Sequence, residues 1–196
     1  MRKFQAGDIL VNPIFGWHLK LISLPEANGG LKYEAEYDHE PFKGKGVVPE
    51  HMHPQVTETF EIFSGRARYR LGGQEHTAEA GETVLLPAGV PHMHPWSDSD
   101  QPLRMKLTAT VPTPDAALLN RIINAVITGI GLANASKTGP DGQPTRLQAA
   151  VIARYARPGV YLGGMPIAAQ DVLLSVLATL GEWRGYRAVY EEYGSV

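Results

Sequence analysis

The stretch PEHMHPQVTETFEIFSG at residues 49–65 carries two histidines and a strand-like alternation of apolar and polar residues. His51 and His53 are two residues apart, so on an extended strand both imidazoles project from the same face. Glu58 shares strand parity with Phe60, and we expect its carboxylate to point toward the interior. The stretch therefore predicts a strand segment whose buried face can bind one metal ion.

Three further side chains decide how such a site is completed. Glu61 has the opposite parity to Glu58 and should face away from it, so Glu58 is the preferred carboxylate ligand. His92 follows a Pro/Gly turn at residues 87–89, where the chain can re-enter the same interior. His94 shares parity with His92 and is either an outer hydrogen-bond partner of the site or a histidine at its rim. The predicted metal ligands are His51, His53, Glu58 and His92.

These residues resemble the two motifs of the cupin superfamily. The first motif, G-x5-H-x-H-x3or4-E-x6-G, is met at His51, His53, Glu58 and Gly65, although its leading glycine is displaced by one, to Gly46. The second motif, G-x5-P-x-G-x2-H-x3-N, is met at Gly81, Pro87, Gly89 and His92, with Trp96 in place of the asparagine. The resemblance covers residues 44 to 96 and implies a jelly-roll β-barrel.

Three neutral imidazoles and one carboxylate suit a divalent transition metal ion, Fe(II), Mn(II), Ni(II), Zn(II) or Co(II), rather than Ca²⁺ or Cu(I). The ligand types do not rank those metals. Four protein ligands in a six-coordinate site leave two positions for water, dioxygen or a chelating substrate. The sequence therefore predicts an open metal site.

The residues around this segment predict a mainly β fold. Up to about Pro112, apolar and polar residues alternate in short runs separated by Gly and Pro, the period typical of half-buried antiparallel strands. In the run at residues 31–38, Leu31, Tyr33, Ala35 and Tyr37 share one face. Many short strands imply a barrel or sandwich, and the cupin resemblance implies that residues 1–112 form a cupin-type antiparallel jelly-roll β-barrel.

After Pro112 the apolar residues follow helical spacing, which predicts about three C-terminal α-helices in residues 113–196. Asp115 suits the first turn of the first helix, and Pro158 should end the second. The third should run from Ala168 to about Trp183, with an apolar stripe formed by Val172, Leu173, Val176, Leu177 and Leu180. We expect this extension to pack on the barrel or on a partner subunit, with the tail aromatics Trp183, Tyr186, Tyr190 and Tyr193 packing the helices or joining a homodimer.

Composition narrows the classes of partner. The 196 residues carry a formal net charge of −2, which offers no general field for gripping nucleic acid. The N-terminus lacks an early apolar run of the secretory type, and both apolar stretches of the helical part are interrupted by polar residues, so we expect a cytoplasmic protein outside the membrane. The chain has no cysteine, so a metal must be held by histidine and carboxylate.

The leading functional hypothesis is a metal-dependent enzyme that acts on a small organic molecule, with oxygenase chemistry preferred. Its interior would be lined by Phe60, Ile62, Tyr69 and Met105. Two alternatives stay open: a metal-dependent isomerase, which would turn over under nitrogen, and a non-catalytic module that binds or senses a small molecule. No catalytic acid or base is assigned from the sequence.

Overall fold

The structure is a computed structural model that describes residues 2–41, 47–97 and 99–196. In chain order, its strands are β1 (Ile9–Asn12), β2 (Trp17–Ser23), β3 (Lys32–His39), β4 (His51–Met52), β5 (Thr57–Ser64), β6 (Arg66–Leu71), β7 (Gln74–Glu79), β8 (Thr83–Leu86), β9 (His92–Ser97), β10 (Leu103–Thr110) and β11 (Tyr161–Leu162). The helices are α1 (Ala116–Asn134), α2 (Arg146–Ala156) and α3 (Ile167–Trp183), with a 3₁₀ helix at Pro25–Asn28.

The strands form two antiparallel sheets. One has the order β1-β2-β3-β10-β5-β8 and the other β11-β4-β9-β6-β7, so the chain passes between the sheets several times. The prediction of an antiparallel jelly roll followed by three helices is confirmed. One strand comes from outside the barrel sequence, because β11 lies between α2 and α3 and pairs with β4, with Leu162 opposite His51.

The alternation seen in the sequence positions the inner face of the barrel. Tyr33, Ala35 and Tyr37 on β3 are all buried, as their shared parity predicted. Leu31 departs from that pattern and is 45% exposed. It precedes β3, in the turn where its backbone N–H donates to the Asn28 side chain, so strand parity does not apply to it.

Helix α1 closes one side of the barrel. The carboxylate of Asp115 accepts a hydrogen bond from the Leu118 N–H at 2.8 Å, which caps the helix as predicted. Leu118, Ile122 and Ile127 belong to the same buried core as the strands. Among the described residues, α1 is the helix long and apolar enough to cross a membrane, and more than half of that stretch is buried inside this protein.

Helix α3 presents the opposite face from the one expected. Its buried residues are Gln170, Leu174, Ala178 and Gly181, whereas the predicted stripe is largely exposed, with Val172 at 70% and Val176 at 57%. The helix is apolar around most of its circumference, so spacing alone does not select a face. The small residues Ala178 and Gly181 lie on the side that packs against α2, where a Cβ on Gly181 would lie 2.7 Å from Val151.

The aromatic tail is mostly packed within the chain. The Tyr190 hydroxyl donates to the buried Gln148 side chain at 2.6 Å, and the Tyr193 ring lies against Gly131 of α1. Tyr186 packs on the small core between α2 and α3. Trp183 is 83% exposed and takes no part in that packing. Intramolecular packing therefore accounts for the three tyrosines.

The contact between Tyr193 and Gly131 generates a stability prediction. A Cβ at Gly131 would overlap the Tyr193 ring, whereas a Cβ at Gly129, in the same helix, would meet no atom within 4 Å. Gly131→Ala should lower the free energy of unfolding by about 1–3 kcal/mol through overpacking. Gly129→Ala should raise it by about 0.5–1 kcal/mol, because alanine loses less backbone entropy in a helix. Chemical denaturation measures both, and changes of the same sign would contradict this packing.

Candidate metal centre

The two sheets bring five ionisable side chains together. The strand β4 provides His51, and His53 follows it directly, while β9 provides His92 and His94. Glu58 comes from β5 in the other sheet, and His51 lies opposite His92 in the antiparallel pair of β4 and β9. One potential ligand atom from each residue lies within 4.8 Å of all the others. The cluster thus contains the four predicted ligands and adds His94.

The individual distances show Glu58 at the middle of the cluster. Its Oε2 lies 2.8 Å from His94 Nε2 and 3.3 Å from His92 Nε2, and its Oε1 lies 3.6 Å from His53 Nε2. The Glu58 side chain is 1% exposed, and the rings of His51, His53 and His92 are buried with it. A buried carboxylate surrounded by imidazoles matches the donor set of a transition metal site.

Backbone carbonyls hold three of the imidazoles in one tautomer. The Nδ1–H groups of His51, His53 and His92 donate to the carbonyls of Pro49, Gly159 and Val90 at 2.8, 2.7 and 2.8 Å. A carbonyl oxygen only accepts, so each Nδ1 must carry a proton, and in the neutral ring each Nε2 keeps its lone pair. The Nε2 atoms of His53 and His92 are buried and have no hydrogen-bond partner in the described structure.

These unpartnered lone pairs test whether the residues fit a metal ion. A buried acceptor without a donor costs free energy, and a divalent ion would satisfy the Nε2 atoms and the carboxylate together. The donor set of imidazole nitrogens and one carboxylate is the set such ions take. The residues therefore fit a divalent metal ion, whose identity they leave open.

Electrostatics keep the cluster in its metal-binding protonation state. Burial lowers the pKa of His51 well below its usual value, and the positive charges that His94, His53 and His92 would carry lower it further. Burial also lowers the pKa of His53. Burial alone would raise the pKa of Glu58, but its interactions with His94 and His53 and its hydrogen bonds with His92 and His94 outweigh burial and hold that pKa well below the usual range. Glu58 is therefore ionised, and burial favours the neutral form of His51 and His53.

The structure also places the other residues that the sequence analysis discussed around the metal ligands. Glu61 is exposed and faces away from the cluster. His94 is half-buried, and its Nε2–H donates to Glu58, so it belongs to the cluster rather than to the rim. Trp96, the departure from the second motif, lines the adjoining cavity. Gly46, the displaced glycine of the first motif, lies outside the described residues.

The cluster opens into a cavity of about 370 Å³. Phe60 and Met105 line it as predicted, whereas Ile62 is buried elsewhere in the core and Tyr69 stacks on His76. Tyr33, Tyr37 and His39 of β3 also line it. Burial and the charge of Glu58 raise the pKa of both tyrosines, so their hydroxyls remain protonated.

The sequence-based reasoning missed the second wall of this cavity. Helix α1 contributes Ile122, Ala125, Val126, Gly129 and Ile130, and α2 contributes Ala149, Ile152, Ala153 and Ala156. Both sets recur at helical i, i+3, i+4, i+7 spacing, which defines one face of each helix. The many small residues on those faces were the available signal, because a core-packing face is usually filled with larger side chains.

Comparison with known proteins finds one family model and several similar solved structures. Residues 40–110 match the family model of the cupin domain. A solved structure described as a predicted oxalate decarboxylase, from Thermotoga maritima, is 16% identical, with a TM-score of 0.46, and the match covers 55% of this chain and 96% of that chain. A sugar phosphate isomerase of the cupin superfamily from Silicibacter pomeroyi is 20% identical, with a TM-score of 0.40, covering 50% and 60%.

A third similar structure is that of a Streptomyces protein, a variant with one substitution, solved with uridine. It is 15% identical to this chain, with a TM-score of 0.42, and the match covers 54% of this chain and 77% of that one. The search of curated proteins found no match to this chain.

The cluster leads to a prediction about metal content. Replacing both His51 and His53 by Ala removes two of the buried imidazoles, so bound metal should fall from one ion per chain to a small fraction. The matched control is His18→Ala with His76→Ala, which removes two histidines outside the cluster. Elemental analysis of untagged protein, with circular dichroism to verify folding, measures the effect. Equal metal in both double variants would refute the assignment.

The carbonyl of Gly159 generates a second prediction. A Cβ at Gly159 would lie 2.9 Å from the Ala156 carbonyl oxygen and from Ile122 Cγ1, so Gly159→Ala must shift the backbone that orients His53. We expect roughly tenfold weaker metal binding, the lower range for losing an outer hydrogen-bond partner of a ligand. Gly139→Ala is the control, because its added methyl would meet only the Asp141 carboxylate at under 3 Å. Competition with a chromogenic chelator measures both affinities, and an unchanged affinity in Gly159→Ala would contradict this role.

Proposed function

We propose that this protein, a member of the cupin superfamily, is a metal-dependent enzyme. It acts on a small organic molecule by oxygenase chemistry. The observation that supports this most is the junction of the cluster with the cavity. His51, His53 and Glu58 line the same cavity as Phe60 and Met105, so a metal ion held there would face a largely apolar cavity.

Four side chains would hold the ion: His51, His53, Glu58 and His92. When bound, a divalent ion such as Fe(II) supplies Lewis acidity and one-electron chemistry toward dioxygen, with positions left for a chelating substrate. The backbone carbonyls accept from the three Nδ1–H groups and so leave the Nε2 atoms for metal binding, and one ligand atom from each residue lies within 4.8 Å of the others. This rigidity fixes the ligand geometry before any ion or substrate arrives.

The remaining polar groups of the cavity position protons and substrate. His94 holds a proton at Nε2 and donates it in a hydrogen bond to Glu58, which keeps that carboxylate oriented. Tyr33 and Tyr37 keep protonated hydroxyls beside the cavity and can donate to a substrate oxygen. The apolar walls exclude bulk water from a reactive substrate.

Turnover with and without dioxygen tests the proposal. Protein loaded separately with Fe(II), Mn(II), Ni(II), Zn(II) or Co(II) is mixed with aromatic diols and keto acids, and both oxygen consumption and product mass are recorded. We expect Fe(II)-loaded protein to consume dioxygen and give an oxygenated product, with the His51→Ala, His53→Ala variant inactive and the His18→Ala, His76→Ala variant active.

Two outcomes would contradict oxygenase chemistry. Product formed equally under nitrogen, with the mass of the substrate, would show an isomerase. Saturable binding without turnover under any metal would show a binding module.

A further inference from the structure

The cavity beside the cluster is shared between the barrel and the helical half of the chain. Its barrel wall contains the ligating residues, and its other wall consists of one face of α1 and one face of α2. Gly129 lies on the α1 face, at the seventh position after Ile122, which also lines the cavity. Seven residues of helix span about 10 Å, so these two residues mark two different depths of the cavity wall.

The Ile122 end of that wall is the end next to the cluster. A Cβ on Gly159 would lie 2.9 Å from Ile122 Cγ1, and the Gly159 carbonyl accepts the hydrogen bond of His53. Gly129 therefore lies about two helical turns farther from His53 along α1. Gly129 borders the part of the cavity that would hold the end of a substrate farthest from the metal.

Packing does not explain a glycine at this position. Gly129 lies inside a helix of 19 residues, where glycine is less stable than alanine by roughly 0.5–1 kcal/mol. A Cβ built on it meets no atom within 4 Å. Gly131, two residues on, differs because the Tyr193 ring occupies the space that its side chain would need. The missing side chain of Gly129 thus leaves open space in the cavity instead of making room for a neighbour.

The side chains that line the cavity determine which kind of ligand fits it. No lysine or arginine lines the cavity among the described residues, and the aromatic rings of Phe15, Trp17 and Phe60 do. The Asn12 side-chain oxygen is already used, because it accepts from the Ile14 and Phe15 N–H groups at 3.0 Å. These walls therefore favour an uncharged and largely apolar body over an anion.

His39 supplies a separate indication that a ligand occupies this cavity. Its Nε2 is buried and has no hydrogen-bond partner within the described ranges, and its ring lies beside those of Trp17 and Tyr37 at centroid distances of 6.1 and 5.9 Å. Burial lowers the pKa of His39 to about 4, so the ring is neutral at physiological pH. A neutral imidazole can make one hydrogen bond to an uncharged polar group.

We propose that the cavity takes an uncharged, largely apolar ligand body, aromatic or aliphatic, and that Gly129 is the residue that sets how long this body can be. The inference deepens the proposed function and rests on it for the idea that the other end of the ligand is the reacting end. The volume of about 370 Å³ lies in the lower part of the range of about 300–1,000 Å³ for small-molecule sites. A side chain added at Gly129 occupies the distal part of that volume.

Binding of the neutral fluorescent probe N-phenyl-1-naphthylamine to metal-free protein tests the inference. The probe has no chelating group, so its binding does not depend on the metal centre. We expect Gly129→Leu to weaken probe binding roughly tenfold or more, because the added side chain overlaps the occupied space. Ala169→Leu is the matched control, since Ala169 is exposed on α3 and does not line the cavity. It should leave the affinity unchanged.

Gly129→Ala provides a second measurement if the leucine variant folds poorly. It adds one methyl to the cavity, should be at least as stable as the wild type, and should weaken the probe by a smaller factor than leucine. Probe binding that is equal in the wild type and both Gly129 variants would overturn the inference, as would equal weakening by Ala169→Leu. If the probe binds most tightly to the wild type, less tightly to Gly129→Ala and least tightly to Gly129→Leu, the cavity assignment is supported. If the same protein shows no turnover, the enzymatic function is contradicted.

Discussion

The hydrogen bond from His53 Nδ1 to the carbonyl of Gly159 is the interaction on which the rest of the structure depends. It connects a residue of the cluster to the segment after α2, 106 positions away in the chain. The same segment continues into β11, which extends the sheet next to His51. Barrel and helices therefore form one site: the barrel supplies the donor atoms, and the helical half supplies an orienting carbonyl and a cavity wall.

The cluster is organised for binding at some cost to stability. Five ionisable groups share a small volume, and burial opposes charge on His51 and His53. The ionised Glu58 is stabilised mainly by its imidazole neighbours, and two Nε2 lone pairs remain without partners in the described part of the chain. Such groups are tolerated in a protein when the surrounding core is well packed and when function requires them. Here the core extends from the strands into α1 without interruption.

Much of this arrangement was predictable from the sequence because it depends on local periods. Alternation identified the inner face of β3, the His-x-His spacing placed His51 and His53 side by side, and Asp115 indicated the start of α1. Two features were not predictable. The buried face of α3 was misassigned because apolar residues surround that helix, so only its contact with α2 selects Leu174 and Ala178. The helical wall of the cavity depends on long-range packing, which no local period encodes.

The separation of His53 from Gly159 also constrains the order in which the molecule assembles. The pair of β4 with β9 and the pair of β5 with β8 can form as soon as the first half of the chain has been synthesised, since these four strands lie within about fifty residues of one another. The orienting carbonyl of His53 and the strand that covers β4 arrive only with residues 159–162. The complete cluster therefore forms late in synthesis, and a nascent barrel that meets metal earlier lacks the carbonyl that orients His53.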